Sequence, residues 1–224
     1  MATQIDKQEK ILSIKLNRLG YKNYQVLIMK MMMKVLFGMK KLEKEILIEC
    51  LPDKLGEQFK QGMPDDVIIS SDIGNNCAIG NAYPTFEKGR KYLAPGLFGP
   101  CGYGFPSILG AKIGCPDTPV IGFAGDGAFG ISMNEMSSCA REEWPAIAMV
   151  IFRNYQWGAE KRNTTLWFDD NFVGTELDPE LSYAKVADAC GLKGVTVRTM
   201  EETTAAIKQS CEDQKKGKLQ RLLK

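Results

Sequence analysis

The most informative part of the chain is PVIGFA at residues 119–124, which is followed directly by GDGAFG at residues 125–130. A short apolar run with β-branched residues, bounded by a proline and a glycine, is typical of a buried strand. Glycines at its end allow the backbone to approach a ligand closely and to turn amide groups toward it. The pattern therefore predicts a buried strand that runs into a ligand-binding loop.

Two further runs, VIISS at 67–71 and AIAMVIF at 146–152, predict buried strands that end in polar residues. Helices are predicted at 102–112, about 132–141, about 182–189 and from about 200, with another strand at 195–198. Strands that are apolar throughout and alternate with helices imply a parallel sheet covered on both faces. The predicted fold class is α/β, a Rossmann-like doubly wound parallel sheet with helices on both faces.

Asp126, between two glycines, is a poor partner for a bare phosphate because the two negative charges repel. A hard divalent cation between them removes this conflict, so the loop predicts a metal that neutralises a diphosphate. Asn154 ends the next strand and offers a second oxygen, and the Gln156 carbonyl offers a third. The alternative is that GDG is only a tight turn with a helix-capping aspartate. The position of Asn154 favours the metal.

The composition excludes several classes of protein. The 224 residues include no histidine, which rules out histidine bases and histidine-based catalytic triads. Seven scattered cysteines without a CxxC pair argue against a disulfide framework or a zinc cluster, and predict a reducing cytoplasm. A net charge of +2 gives no sign of nucleic-acid binding, and Lys30 and Lys34 interrupt the longest apolar run, so no membrane helix is expected.

Four segments together resemble the sulfoacetaldehyde acetyltransferase family of thiamine diphosphate enzymes, over about residues 64–213. These are SDIGNNCAIGNAY at 71–83, KYLAPGLFGPCGYGFPSILGAKIG at 91–114, GDGAFGISMNE at 125–135 and FRNYQWGAEKRNTTLWFDDNFVGTELD at 152–178. The resemblance implies the PP-type domain, which binds the diphosphate of the cofactor, with thiamine diphosphate and Mg²⁺ as cofactors. The wider superfamily shares GDG and the asparagine, whereas WGAEKRN and NFVGTELD are more discriminating.

The same resemblance implies roles for individual residues. Asp126, Asn154 and the main-chain oxygen of Gln156 would bind magnesium. Cys101 falls where relatives carry an apolar residue under the cofactor rings, although a small buried core residue is equally compatible with its type. The implied cofactor-binding residues are Gly74, Asn75, Cys101, Gly125, Asp126, Gly127, Ala128, Asn154, Gln156, Trp157 and Gly158.

The implied reaction converts sulfoacetaldehyde and phosphate into acetyl phosphate and sulfite. Both substrates are small anions, for which Lys161 and Arg162 are candidate ligands; surface charges in a polar loop are the alternative. Trp157 and Trp167 are candidate pocket walls. Two other functions stay open: an acetolactate synthase or 2-oxoacid decarboxylase, and a non-catalytic remnant or subunit.

The predicted domains are a helical arm or linker at 1–60, the thiamine diphosphate-binding domain at 61–213 and an atypical basic tail at 214–224. The family's catalytic glutamate belongs to a separate pyrimidine-binding domain, which this sequence does not match, so no catalytic residue is assigned. In the tail, KKGKLQRLLK takes the place of an expected final strand. An exposed sheet edge and an uncovered domain interface predict a homo-oligomer or a pyrimidine-domain partner.

Overall fold

The computed structural model describes residues 61–82, 91–141, 144–216 and 221–223, so the predicted arm at 1–60 lies outside the described residues. Six parallel strands form one sheet in this part of the chain. The strands are β1 Ile68–Ser71, β2 Tyr92–Leu93, β3 Val120–Gly125, β4 Ala148–Phe152, β5 Lys193–Val195 and β6 Arg221–Leu223.

Helices connect these strands. They are α1 Asn75–Ala82, α2 Gly104–Gly114, α3 Asp126–Ser132, α4 Met136–Cys139, α5 Gly158–Trp167, α6 Tyr183–Ala189 and α7 Met200–Lys215, with a 3₁₀ turn at Met133–Glu135. None of the described helices has the length and apolar character needed to span a membrane.

The strand order is β2-β1-β3-β4-β6-β5. From β1 the chain adds β2 on one side and β3 on the other, so the direction of winding reverses between β1 and β3. In open α/β sheets, ligands bind beyond the carboxyl ends of the strands at such a reversal. The topology therefore predicts a ligand site at the loops after β1 and β3.

Apolar side chains from successive positions of β3 enter two separate cores, one on each face of the sheet. Val120 and Ala124 pack in one cluster with Phe105 and Phe129, while Ile121 belongs to the other. Burial on both faces explains why the strands read as continuous apolar runs. The predicted Rossmann-like α/β class is confirmed.

Two predicted elements were placed wrongly. Instead of one helix at about 132–141, α3 begins at Asp126 and is followed by the 3₁₀ turn and α4. The helix starts early because Gly125 is extended and acts as the N-cap, so GDG forms the first turn. The strand predicted at 195–198 lies at Lys193–Val195, where it pairs with β6.

The expectation that the final strand is lost is also wrong. β6, within the predicted basic tail, lies between β4 and β5, with Leu222 paired to both Met149 and Gly194. The edges of β4 and β5 would otherwise present unpaired N–H and C=O groups. The short Arg-Leu-Leu run of β6 pairs with both strands and so joins them into one sheet. Within the described residues, the sheet edge that loss of a final strand was expected to expose is therefore paired with β6.

Candidate functional site

Strands β1, β3 and β4 end at one edge of the sheet. Ser71 is paired with Phe123, and Gly125 is paired with Phe152. Because the strands are parallel and in this register, the residues that follow each of them emerge side by side. The loops that carry Gly74, Asp126 and Asn154 thus meet at this edge.

Asp126 is buried at this edge, and both of its carboxylate oxygens accept hydrogen bonds. Its Oδ2 accepts a hydrogen bond of 2.7 Å from the N–H of Tyr155, and its Oδ1 accepts one of 3.1 Å from the N–H of Gly127. The main-chain oxygen of Asp126 accepts a 2.8 Å bond from the Tyr183 hydroxyl. These contacts tie the GDG loop to the loop that carries Asn154.

Burial raises the pKa of the Asp126 carboxyl above its ordinary value, and this effect exceeds the opposing effects of the two N–H donors and of Arg153. A carboxylate in such a position is costly in its charged form. A cation placed against it would stabilise that form, which is the physical requirement of a metal ligand.

The loop after β4 is held in an unusual conformation. Tyr155 has a positive φ of 59°, in the left-handed region. Asn154 Oδ1 accepts a 3.3 Å bond from the N–H of Gln156, and the N–H of Trp157 donates to the Thr175 carbonyl at 2.8 Å. An antiparallel bridge between Gln156 and Glu176 completes a short ribbon that fixes the loop.

Gly127 and Trp157 lie in direct contact across the two loops. A Cβ added at Gly127 would lie 2.8 Å from the indole ring, so no larger residue fits without displacing it. Gly158 follows Trp157 and begins α5, while Ala128 is buried in the first turn of α3. The predicted cofactor-binding residues of the second and third loops are therefore together.

The loop after β1 lies against the end of β3. The Asn76 amide donates to the carbonyl oxygens of Asp72, at 2.9 Å, and Phe123, at 3.3 Å, and so joins the two strand ends. Gly74 has a φ of 124°, which favours glycine, and Asn75 begins α1. Gly74 and Asn75 therefore lie in the loop whose Asn76 amide contacts the end of β3, just before the GDG loop.

Cys101 is exposed, so the alternative that it is a buried core residue is wrong. Desolvation by neighbouring groups nevertheless raises the pKa of its thiol, and the carboxylates of Asp72 and Glu160 add to this shift. Its neighbour Gly102 donates its N–H to Asp72 Oδ1 at 3.0 Å. The segment with Cys101 therefore lies beside the loop after β1.

The remaining candidates, Lys161, Trp167 and Arg162, make no described contact with the GDG loop. Lys161 forms an ion pair with Glu176, and its Nζ lies 4.9 Å from the centre of the Phe172 ring. Trp167 ends α5 with 75% of its surface exposed and so does not form a buried wall. For Arg162, Nε is buried and has no hydrogen-bond partner in the described part of the chain.

Sequence reasoning assigned no role to four residues that build this edge: Asp72, Asn76, Arg153 and Tyr183. Arg153 stacks over the rings of Tyr155 at 4.5 Å and Tyr183 at 5.5 Å, and donates to the carbonyls of Asp178 and Pro179. The position of Asp72 directly after a buried strand was the only available signal. The others act through contacts that no local pattern reveals.

Comparisons with known proteins agree with this geometry. Residues 72–219 match the family model described as thiamine pyrophosphate enzyme, C-terminal TPP binding domain. The chain is similar to the solved structure of a thiamine diphosphate-dependent 4-hydroxybenzoylformate decarboxylase from Rhodococcus jostii RHA1, with a TM-score of 0.67 and 25% identity. That match covers 77% of this chain and 31% of the decarboxylase chain.

Two curated relatives are more similar in sequence. The probable sulfoacetaldehyde acetyltransferase of Rhizobium meliloti (strain 1021) is 74% identical over 166 residues, covering 74% of this chain and 28% of the relative. The sulfoacetaldehyde acetyltransferase of Roseovarius nubinhibens is 73% identical over 159 residues, covering 71% of this chain and 26% of the relative. The chain thus spans little more than a quarter of the length of these relatives.

Proposed function

The chain belongs to the thiamine pyrophosphate enzyme family through its C-terminal TPP binding domain, and on this premise we propose that it is the cofactor-binding portion of a sulfoacetaldehyde acetyltransferase. The proposed whole reaction converts sulfoacetaldehyde and phosphate into acetyl phosphate and sulfite. The observation that carries the cofactor part is the hydrogen bond from Tyr155 to Asp126, which joins the two loops with the candidate ligands. The high identity to the two acetyltransferases supports the substrate class.

The donor set fits a magnesium diphosphate. Each carboxylate oxygen of Asp126 accepts one described hydrogen bond and has a second lone pair, as does Asn154 Oδ1. With the Gln156 carbonyl, these three residues offer four oxygen atoms at one edge. Mg²⁺ prefers six oxygen ligands and commonly takes the rest from substrate phosphates and water.

When bound, thiamine diphosphate supplies the carbon chemistry, while the protein supplies placement and electrostatics. In this proposal, Asp126, Asn154 and Gln156 hold the metal, and Gly74, Asn75, Gly127 and Ala128 line the diphosphate. The Trp157 indole packs directly against Gly127 and so holds the GDG loop against the loop after β4. Cys101 faces outward, where it is available to support the cofactor rings.

The charges around α5 favour Arg162 over Lys161 as the ligand of an anionic substrate. The Lys161 ammonium is already neutralised by Glu176 and held against Phe172. Arg162 has a buried Nε without a described partner, and its planar guanidinium matches the oxygen atoms of sulfonate and phosphate. Arg162→Lys would retain the positive charge but lose this fork, so weaker phosphate binding is expected.

We propose that the chain works as a homo-oligomer or with a pyrimidine-binding domain, because the family's catalytic glutamate lies in that domain. The experiment that tests the function titrates the 224-residue chain with thiamine diphosphate, with and without Mg²⁺, by calorimetry. The chain is then mixed with the remaining part of a 74% identical relative, and phosphate-dependent sulfite release is measured.

Magnesium-dependent binding followed by sulfite release is the expected result. Failure to bind the cofactor at all would overturn the proposal. Binding without turnover in the mixture would instead favour a non-catalytic remnant or subunit.

A further inference from the structure

Asp72 is a fully buried carboxylate at the end of β1. Its Oδ1 accepts hydrogen bonds from the N–H groups of Ile73, at 2.8 Å, and Gly102, at 3.0 Å, while Oδ2 accepts one of 2.7 Å from Gly104. Burial raises the pKa of this carboxyl against the opposing effect of the N–H donors. A buried acid held by three main-chain donors links segments that are far apart in sequence.

Glycines allow residues 99–104 to approach the Asp72 carboxylate closely. Gly99 and Gly102 have φ values of 57° and 85°, in the left-handed region. A Cβ at Gly104 would lie 3.0 Å from both the main-chain N and the Cβ of Asp72, so a side chain there would force the carboxylate and the loop apart. Residues 99–104 therefore fold closely around one carboxylate and leave Cys101 exposed between its anchor points.

The Asp72 carboxylate also lies at the N-terminus of α2, where it accepts the N–H of Gly104. Gly104 is the first residue of this 11-residue helix, and the N-cap Tyr103 makes no side-chain capping bond. A carboxylate at a helix N-terminus accepts an N–H that has no partner within the helix and is stabilised by the helix dipole. Asp72 thus supplies, from β1, the cap that the local sequence of α2 lacks.

We propose that Asp72 is a positioning residue that fixes the Cys101 segment relative to the Gly74–Asn75 loop, so that both loops meet one cofactor. This inference rests on the proposed function, because both loops were assigned to thiamine diphosphate there. The new element is that the buried Asp72 carboxylate sets the distance between the Cys101 segment and the Gly74–Asn75 loop. The Ile73 bond holds the first loop, and the Gly102 and Gly104 bonds hold the second.

The test replaces Asp72 with asparagine, which preserves shape but turns one of the two acceptor oxygens into an NH₂ group that faces an N–H. Two measurements on the 224-residue chain without cofactor report on the loop: the alkylation rate of Cys101, read by peptide mass spectrometry, and hydrogen–deuterium exchange over residues 99–104. A third measures the affinity for thiamine diphosphate with Mg²⁺. Asp65→Asn, at an exposed aspartate, is the matched control.

We expect Asp72→Asn to speed alkylation of Cys101 and exchange in residues 99–104, with exchange in β3 and β4 unchanged. The affinity for the cofactor should fall about tenfold or more, as for other residues that orient ligand-binding groups. If the variant does not refold, Asp72→Ser, which removes the charge and reduces the volume, is measured in its place.

The inference is overturned if a folded variant shows wild-type alkylation and exchange, or if the loop loosens and cofactor affinity is unchanged. If the wild-type chain does not bind thiamine diphosphate, the proposed function fails first. That result is distinguished from failure of the positioning role of Asp72, because the alkylation and exchange measurements need no cofactor.

Discussion

The Oδ2 atom of Asp126 accepts a 2.7 Å hydrogen bond from the main-chain N–H of Tyr155. This one contact joins the loops after β3 and β4, so that the residue beside Tyr155, Asn154, lies next to the GDG loop. Removing Asp126 is therefore expected to affect both loops at once.

Asp126→Ala should abolish magnesium-dependent binding of thiamine diphosphate, because it removes the only carboxylate in the proposed metal shell. The loss should exceed the ~10–100-fold effect typical of residues that only support metal ligands. The measurement is calorimetric titration with and without Mg²⁺, with Asp65→Ala as the control at an exposed position. An unchanged affinity in the folded variant would show that the metal assignment is wrong.

Gly127→Ala should destabilise the chain by about 1–3 kcal/mol, the usual effect of overpacking, because the new Cβ would lie 2.8 Å from the Trp157 ring. Gly110→Ala is the matched control. Gly110 is an exposed position within α2 where a Cβ has no contact within 4 Å, so this change should stabilise the helix by about 0.5–1 kcal/mol. Urea unfolding measures both effects, and equal shifts in the two variants would contradict the packing argument.

Gln214→Ala should destabilise the fold by about 1–3 kcal/mol, because it leaves buried polar groups of β3 without partners. The Gln214 side chain accepts a 2.8 Å bond from the N–H of Val120 and donates a 3.0 Å bond to its carbonyl. Glu212→Ala, at an exposed position of the same helix, should have little effect on the free energy of unfolding. Similar unfolding midpoints for the two variants would rule out this contribution.

Tyr92→Phe should reduce the loss of stability at alkaline pH. Burial raises the pKa of the Tyr92 hydroxyl from 10.0 to about 12. Between these values the unfolded chain loses the proton while the folded chain retains it, so the free energy of unfolding falls as pH rises, by up to about 1.4 kcal/mol per pH unit.

The test for Tyr92 compares the free energy of unfolding of wild type and variant across this window. Relative to Tyr92→Phe, the free energy of unfolding of the wild type should fall progressively above about pH 10. A difference between the two proteins that stays constant with pH would show that Tyr92 does not titrate in this way.

Leu97→Ser combined with Phe98→Ser should reduce self-association of the chain. Both side chains are almost fully exposed, and contiguous apolar surface of this kind is typical of interaction sites. Sedimentation velocity measures the effect, with Ile113→Ser as the control at a half-exposed position on α2. A wild-type chain that sediments as a single monomeric species would exclude this association.

Much of the fold follows from local pattern. The strands β1, β3 and β4, and the helices α2, α6 and α7, lie within a few residues of their predicted positions, because apolar runs and helical spacing report burial directly. β6 could not be predicted in this way. Its Arg-Leu-Leu run has little strand signal of its own and is fixed by pairing with β4 and β5.

Residue type and spacing along the chain were enough to predict the α/β class and to identify GDG with Asn154 as the candidate site. The quoted motifs carried the resemblance to the family. The contacts between distant residues became known only from the folded chain: Asp126 with Tyr155, Gly127 with Trp157, and Asp72 with Gly102 and Gly104. Such contacts join loops from different strands, and their geometry is set by sheet register and by the packing of helices on both faces. No local pattern encodes that register, so these contacts had to be read from the folded chain.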